Sequence, residues 1–169
     1  MRLKILSIFA VLVLLAACET APDEGGASGG AGGAGGGAAG SAVGGPQAGT
    51  QEDLVVNVGD RVFFDFDKFA LKPDARATLE KQAAWLKKYP SVTIVVEGHA
   101  DERGTREYNL ALGERRANSA KDYLVTLGVN PSRVKTISYG EERPVALGSN
   151  EKSWSQNRRS VTVVSRAGS

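Results

Sequence analysis

The stretch VTIVVEGHADERGTREYNLALGERR, residues 92–116, decides how this chain is organised. Val92 to Val96 is a β-branched run bounded by Pro90 and Gly98, and this pattern predicts a strand. Charged and small residues follow in a loop, and a helical pattern begins near Thr105. In sheets with helical connections, the crevice beyond the strand ends is a common place for a ligand. The pattern therefore predicts the functional centre of the chain here.

The rest of the chain supplies the partners of this strand and helix. One helix is predicted between Pro73 and Pro90, and a second from Thr105 to Leu127 with Gly128 as its C-terminal cap. Further strands are predicted at 61–65, 134–139 and 159–164, with a helical turn at 153–157. The apolar run at 54–58 is predicted to form either a small hairpin with 61–65 or a short edge segment before it. This order predicts an α+β fold, a βαβαββ two-layer sandwich with both helices on one face of a mixed sheet.

Helical phasing of the second helix separates the face predicted to pack on the sheet from a second stripe beside it. The residues predicted to pack on the sheet are Leu110, Gly113, Ala117, Ala120, Leu124 and Leu127. Thr105, Asn109, Leu112 and Arg116 form a second stripe that borders this face. Arg115 points towards water, so Arg116 is the better placed of the two adjacent arginines to reach a site at the strand end.

Residues 1–17 have the layout of an export signal. Arg2 and Lys4 precede an apolar core too short to span a bilayer, and small residues precede Cys18. Leu15-Ala16-Ala17-Cys18 resembles a bacterial lipobox, in which the cysteine is lipidated and becomes the first mature residue. An ordinary secretory peptide with an incidental cysteine is the alternative. In lipoproteins an Asp after the cysteine is associated with inner-membrane retention, so Glu19 favours the outer membrane.

Residues 18–50 are predicted to be a lipidated N-terminus followed by a flexible tether, because Gly, Ala and Ser bury too little apolar surface to offset ordering entropy. The folded domain is predicted to occupy residues 51–169. Removal of the signal takes two of the 21 basic residues and none of the 19 acidic ones, so the two counts become equal. This balance argues against nucleic-acid binding. Membrane attachment is expected through the acyl chains on Cys18.

The central loop also offers groups that occur in enzymes. Glu97, Asp101 and Glu102 are carboxylates of the kind that glycosidases use, and His99 is a possible base. No serine elbow or spare cysteine supplies a nucleophile, and His99 is the single histidine of the chain. We therefore expect no enzyme, no metal and no cofactor, and a structural or polar-network role for His99.

Binding is the better account of the same residues. Asp101 suits an ammonium group and Arg116 suits a carboxylate, which together match a zwitterionic amino-acid head group. The alternative is that Asp101 and Arg116 simply pair with each other. Phe66 and Phe69 likewise have two interpretations, as core residues beyond the first strand or as part of a ligand-facing loop.

Several longer motifs resemble the peptidoglycan-associated lipoprotein family of Gram-negative bacteria, whose domain is of the OmpA-like type. The resemblance covers about residues 54 to 165, and its motifs are FFDFD at 63–67, VEGHADERGT at 96–105, YNLALGERRAN at 108–118, SYGEERP at 138–144 and QNRR at 156–159. One departure is Arg106, where related sequences often have proline. It leaves Asp101 and Arg116 intact but alters the start of the helix.

The resemblance implies non-covalent binding of peptidoglycan through the diaminopimelate of the stem peptide, with Asp101 holding the amino group and Arg116 the carboxylate. The other contacts that it implies are backbone contacts from Phe66 and Asp67 and a lining from Thr105 and Leu112. It also implies membership of the Tol-Pal system, in envelope integrity and cell division, with TolB bound on an overlapping face. A tethered periplasmic protein-interaction module without strong wall binding is the alternative.

Overall fold

The computed structural model describes residues 45–168. The predicted signal peptide 1–17, the lipidation site Cys18 and the predicted tether up to residue 44 lie outside the described residues. Within residues 45–168, no helix is both long and apolar enough to cross a membrane.

The described chain alternates helices and strands in nearly the predicted order. The helices are α1 (Gln51–Asp53), which continues as a π-helical turn (Leu54–Val58), α2 (Pro73–Lys88), α3 (Arg106–Thr126) and α4 (Glu151–Asn157). The strands are β1 (Arg61–Phe63), β2 (Thr93–His99), β3 (Val134–Gly140), which follows a 3-10 turn at Pro131–Arg133, and β4 (Arg159–Arg166).

The four strands form one mixed sheet in the order β1-β4-β2-β3. β4 is antiparallel to both of its neighbours, whereas β2 and β3 are parallel and joined through α3. The core lies between the sheet and helices α2 and α3, and its largest aliphatic members include Leu79, Leu86, Ile94 and Leu124. The predicted α+β sandwich with a mixed sheet is confirmed.

The apolar run at 54–58 is helical, so both of its predictions, as an arm of a hairpin and as an edge segment, were wrong. The Asp53 carboxylate accepts hydrogen bonds from Gly49 N–H, Asn57 Nδ2 and Trp85 Nε1, each at 2.8 Å. These bonds hold the segment in a helical turn and bury Leu54 completely. The pattern of apolar residues alone could not indicate a tie to a tryptophan on α2.

The prediction of the buried face of α3 was wrong at Leu110, whose side chain is 46% exposed. The buried residues of α3 are Asn109, Leu112, Gly113, Arg116, Ala117, Ala120 and Leu124. Leu110 lies over the end of β3, where its carbonyl accepts a hydrogen bond from Ser138 Oγ at 2.6 Å. Its side chain is therefore not part of the face that packs on the sheet.

Two glycines set the distance between α3 and β2. A Cβ on Gly98 would lie 1.8 Å from the Gly113 carbonyl oxygen, and one on Gly113 would lie 2.8 Å from the Gly98 carbonyl oxygen. Backbone thus contacts backbone at the point where β2 approaches its end. This contact brings the N-terminal half of α3 directly over the loop that follows β2.

We expect Gly98→Ala to destabilise the domain by about 1–3 kcal/mol or more, because strand and helix must separate to admit the methyl group. Gly45→Ala is the matched control, since a Cβ there meets nothing within 4 Å. Chemical denaturation of both variants measures the free energy of unfolding. An unchanged value for Gly98→Ala would show that the helix position does not depend on this contact.

Candidate functional site

A cavity of about 240 Å³ opens where β2 ends. It lies between the loop after β1, the loop after β2 and the first turns of α3. The lining residues are Phe66, Asp67, Asp101, Arg103, Gly104, Tyr108, Asn109, Leu112 and Arg116. Five of the six residues predicted to bind a ligand are therefore brought together in one place.

Asp101 is buried and its carboxylate contacts two arginines. Arg103 donates through Nε at 3.1 Å and through Nη2 at 2.6 Å, and Arg158 donates through Nη1 at 3.2 Å. Burial alone raises the pKa of Asp101, but the hydrogen bonds from both arginines outweigh it and hold the pKa below its ordinary value. The carboxylate is therefore ionised at neutral pH.

Arg116 is fully buried, with 0% of its surface exposed. Its guanidinium donates to three backbone carbonyls, those of Lys68 at 2.9 Å, His99 at 2.8 Å and Asp65 at 3.2 Å. A guanidinium has five N–H groups, so two are not used by these bonds. Burial lowers the pKa of Arg116 to about 10, which leaves it charged at neutral pH.

Asp101 and Arg116 do not pair with each other. The hydrogen bonds of Asp101 come from other arginines, and those of Arg116 go to backbone carbonyls. The sequence-based alternative of a simple mutual ion pair was therefore wrong. Two opposite charges line one cavity and are each held in place by other groups.

The loop after β1 forms another wall of the cavity. Phe66 is 54% exposed, and Asp67 has a positive φ of 54°. The Asp67 carboxylate accepts a hydrogen bond from the hydroxyl of Tyr108, which raises the pKa of Tyr108. A left-handed non-glycine residue costs free energy and is held in place by its surroundings, as is common at binding sites. Phe66 and Phe69 are both exposed, so their interpretation as core residues was wrong, and the ligand-facing loop stays a prediction.

Thr105 is placed differently from Leu112. Leu112 is buried and lines the cavity, whereas Thr105 is the N-cap of α3 and accepts a hydrogen bond from Tyr108 N–H at 3.2 Å. Thr105 is not among the lining residues of the cavity. Its role in the described structure is to begin the helix that carries Leu112 and Arg116.

Four lining residues were missed by sequence reasoning, namely Arg103, Gly104, Tyr108 and Asn109. Tyr108 and Asn109 stand three and four residues after the N-cap, so helical spacing could have placed them beside the loop. Arg103 follows Asp101 by two residues in a tight loop, and its backbone N–H also donates to the Asp101 carboxylate at 3.1 Å. That hydrogen bond is a common signal of an Asx turn.

His99 ends β2 and is only 1% exposed. Its ring stacks on Tyr139 with centroids 5.6 Å apart, and neither ring nitrogen has a hydrogen-bond partner among residues 45–168. Burial, together with the positive charges of Arg159 and Arg143, lowers the pKa of His99 to about 3. His99 is thus a neutral packed ring, and the described residues contain no group of three metal-binding side chains.

The fold and the cavity define a small binding domain with a charged pocket at the end of a central strand. The OmpA family model matches residues 63–158. The peptidoglycan-associated lipoprotein of Rhizobium meliloti is 61% identical over 121 residues, which are 72% of this chain and 69% of that protein. The protein of the same name in Brucella melitensis is 58% identical over 120 residues, 71% of each chain.

Two solved structures are similar to this chain in fold and in sequence. The peptidoglycan-associated lipoprotein from Burkholderia pseudomallei is 45% identical with a TM-score of 0.61, over 62% of this chain and 89% of that chain. The C-terminal domain of Helicobacter pylori MotB is 27% identical with a TM-score of 0.59, over 63% of this chain and 84% of that chain. This chain belongs to the OmpA family, and within it to the peptidoglycan-associated lipoproteins. This membership confirms the prediction that the chain is not an enzyme.

We expect acid to weaken the domain through His99. Its pKa is about 3 in the folded state and about 6.5 when unfolded, so below pH 6.5 the unfolded chain binds the extra proton. The free energy of unfolding should therefore fall by about 2 kcal/mol between pH 7 and pH 5.

His99→Gln, which cannot titrate, should remove most of this fall, as measured by urea denaturation at each pH. The chain has no other histidine, so the comparison isolates one group. An equal fall in the variant would mean that His99 is protonated as easily in the folded protein as in the unfolded chain.

Proposed function

We propose that the cavity binds the diaminopimelate of the peptidoglycan stem peptide, with Asp101 holding the ammonium group and Arg116 the carboxylate. The observation that carries the proposal is that a buried carboxylate and a buried guanidinium line one small cavity without pairing with each other. A zwitterionic head group has the two charges that complement them.

The Asp101 carboxylate and the Arg116 guanidinium are both held in place in the absence of a ligand. The two arginines around Asp101 keep its carboxylate ionised, and the three carbonyls around Arg116 fix the plane of its guanidinium. Groups that are already oriented lose little conformational entropy on binding. The two N–H groups of Arg116 that these carbonyls leave unused match the two oxygens of a carboxylate.

The apolar part of the cavity suits the carbon chain of a diamino acid. Leu112 is buried in the wall, and Phe66 is half exposed at the rim. Backbone groups of Phe66 and Asp67 are proposed to bind the ligand, because the left-handed residue Asp67 turns the backbone at the cavity. Thr105 is proposed to contribute to binding indirectly, as the N-cap of the helix that carries Leu112 and Arg116.

We expect Asp101→Asn to weaken binding to diaminopimelate-containing peptidoglycan about 10- to 100-fold, the value of one charge-assisted hydrogen bond. Co-sedimentation of the domain with isolated cell walls measures this. Asp122→Asn on the exposed side of α3 makes the same charge change away from the cavity and should sediment like wild type. Unchanged sedimentation of Asp101→Asn would exclude the ammonium contact.

Arg116→Lys tests the other end of the ligand. It keeps the charge but lacks the planar fork, so binding should fall at least tenfold. Circular dichroism must show a folded variant, because Arg116 also binds three carbonyls. Walls in which lysine replaces diaminopimelate lack the ligand carboxylate, and wild type should bind them as poorly as Arg116→Lys binds the normal wall. Equal binding of both walls by wild type would contradict the carboxylate contact.

The domain is proposed to act from the outer membrane, facing the periplasm, as part of the Tol-Pal system in envelope integrity and cell division. Residues 1–17 would be removed as a signal peptide, Cys18 would carry the lipid, and residues up to about 50 would form the tether. TolB is proposed to bind an overlapping face. This proposal is supported by the lipobox, by Glu19 after the cysteine and by family membership.

Labelled palmitate should enter the full-length chain and be absent from Cys18→Ser, because Cys18 is the single cysteine. Membrane fractionation should place the lipidated protein with the outer membrane. Label retained in the variant would exclude this anchor. A wild-type domain that fails to sediment with the wall but binds TolB would instead favour the protein-interaction module.

A further inference from the structure

We infer that Arg103 is a second carboxylate receptor in the same cavity, so that the domain selects a ligand with two neighbouring carboxylates rather than one. The inference rests on the proposed function, because it adds a contact to the same ligand. It concerns a residue that sequence reasoning did not include in the site.

Arg103 uses one edge of its guanidinium within the protein. Nε and Nη2 both donate to the Asp101 carboxylate, at 3.1 and 2.6 Å. Nη1 makes no hydrogen bond to any of residues 45–168. Arg103 lines the cavity, and its side chain is 30% exposed. A guanidinium can bind one carboxylate on each of two edges, so Arg103 retains donors for a second one.

The plane of this guanidinium is fixed before any ligand arrives. The Cζ atom of Arg103 lies 3.9 Å from the centroid of the Phe66 ring and 4.1 Å from the centroid of the Trp154 ring. Trp154 Nε1 donates to Glu102 at 3.0 Å, which orients the second ring. An arginine stacked between two aromatic rings loses less entropy when it binds than a free surface arginine.

A second carboxylate close to Arg103, that of Glu151, does not occupy the unused donors. Glu151 Oε2 lies 3.8 Å from Nη2 of Arg103, which is beyond hydrogen-bond distance. The other oxygen of Glu151 accepts a hydrogen bond from Arg158 at 2.5 Å. Glu151 is exposed and therefore solvated, so a ligand carboxylate can bind Arg103 without displacing a buried ion pair.

The stem peptide offers such a carboxylate. The residue before the diamino acid is acidic and is linked through its side chain, so its α-carboxyl group is free unless the wall is amidated there. The Arg103 guanidinium would donate hydrogen bonds to the free carboxylate, and its bond to the oxygen of a neutral carboxamide would be weaker. The inferred specificity is therefore for stem peptides that are not amidated next to diaminopimelate.

The test uses two soluble tripeptides that differ only in this group, one with the free α-carboxylate and one with the carboxamide. Calorimetry with the wild-type domain should give about tenfold tighter binding of the free acid. Arg103→Gln should bind the two peptides equally. Arg76→Gln, which removes an exposed arginine on α2 that does not line the cavity, should retain the wild-type preference.

Equal binding of both peptides by wild type would overturn the inference and leave the proposed function standing. So would a full tenfold preference in Arg103→Gln, because Arg103 would then only position Asp101. If wild type binds neither peptide, the proposed function fails and the inference fails with it. The ratio between the peptides separates direct contact from positioning, since a displaced Asp101 would weaken both peptides alike.

Discussion

The site depends on the buried guanidinium of Arg116. It ties α3 to two backbone segments that are far apart in sequence, through the carbonyls of Asp65, Lys68 and His99. The first two belong to the loop after β1, and the third to the last residue of β2. Burial of a charged group costs free energy that hydrogen bonds must offset, so these loops are held at the distances that the guanidinium sets. The cavity is formed between them.

The close contact of Gly98 with Gly113 makes this arrangement possible. Arg116 stands one helical turn beyond Gly113, and it reaches the His99 carbonyl because helix and strand are in backbone contact. A larger residue at either glycine would lift α3 from the sheet and move the guanidinium away from the loops. The close approach of α3 to β2 is therefore required both for packing of the core and for the position of Arg116 in the pocket.

The first and last described segments meet at the end of β2 that is opposite the cavity. Gly49 and Gly168 are hydrogen-bonded to each other, and Arg166 pairs with Thr93 at the start of β2. The cavity lies beyond His99, at the other end of the strand, about 20 Å away. Gly49, near the first described residue, therefore lies at the end of β2 opposite the pocket.

Much of this organisation was predictable from sequence because its signals are local. Pro73, Thr105 and Gly128 mark helix ends, and helical phase distinguished Arg116 from Arg115. What could not be predicted depends on contacts across the fold. Arg158 binds Asp101 from 57 positions further along the chain, and Trp85 holds the turn at Asp53 from α2. Arg103 was missed because the aromatic rings that fix it, Phe66 and Trp154, come from two other segments.

The most direct test of the central claim is a nuclear magnetic resonance titration of the labelled domain with diaminopimelate. The claim predicts that the Nε–H signal of Arg116 and the amide signals of Asp101, Phe66 and Asp67 shift together and saturate at one ligand per domain. Signals of α2, none of whose residues lines the cavity, should stay in place. Shifts confined to residues outside the cavity, or an Arg116 signal unmoved at saturation, would contradict it.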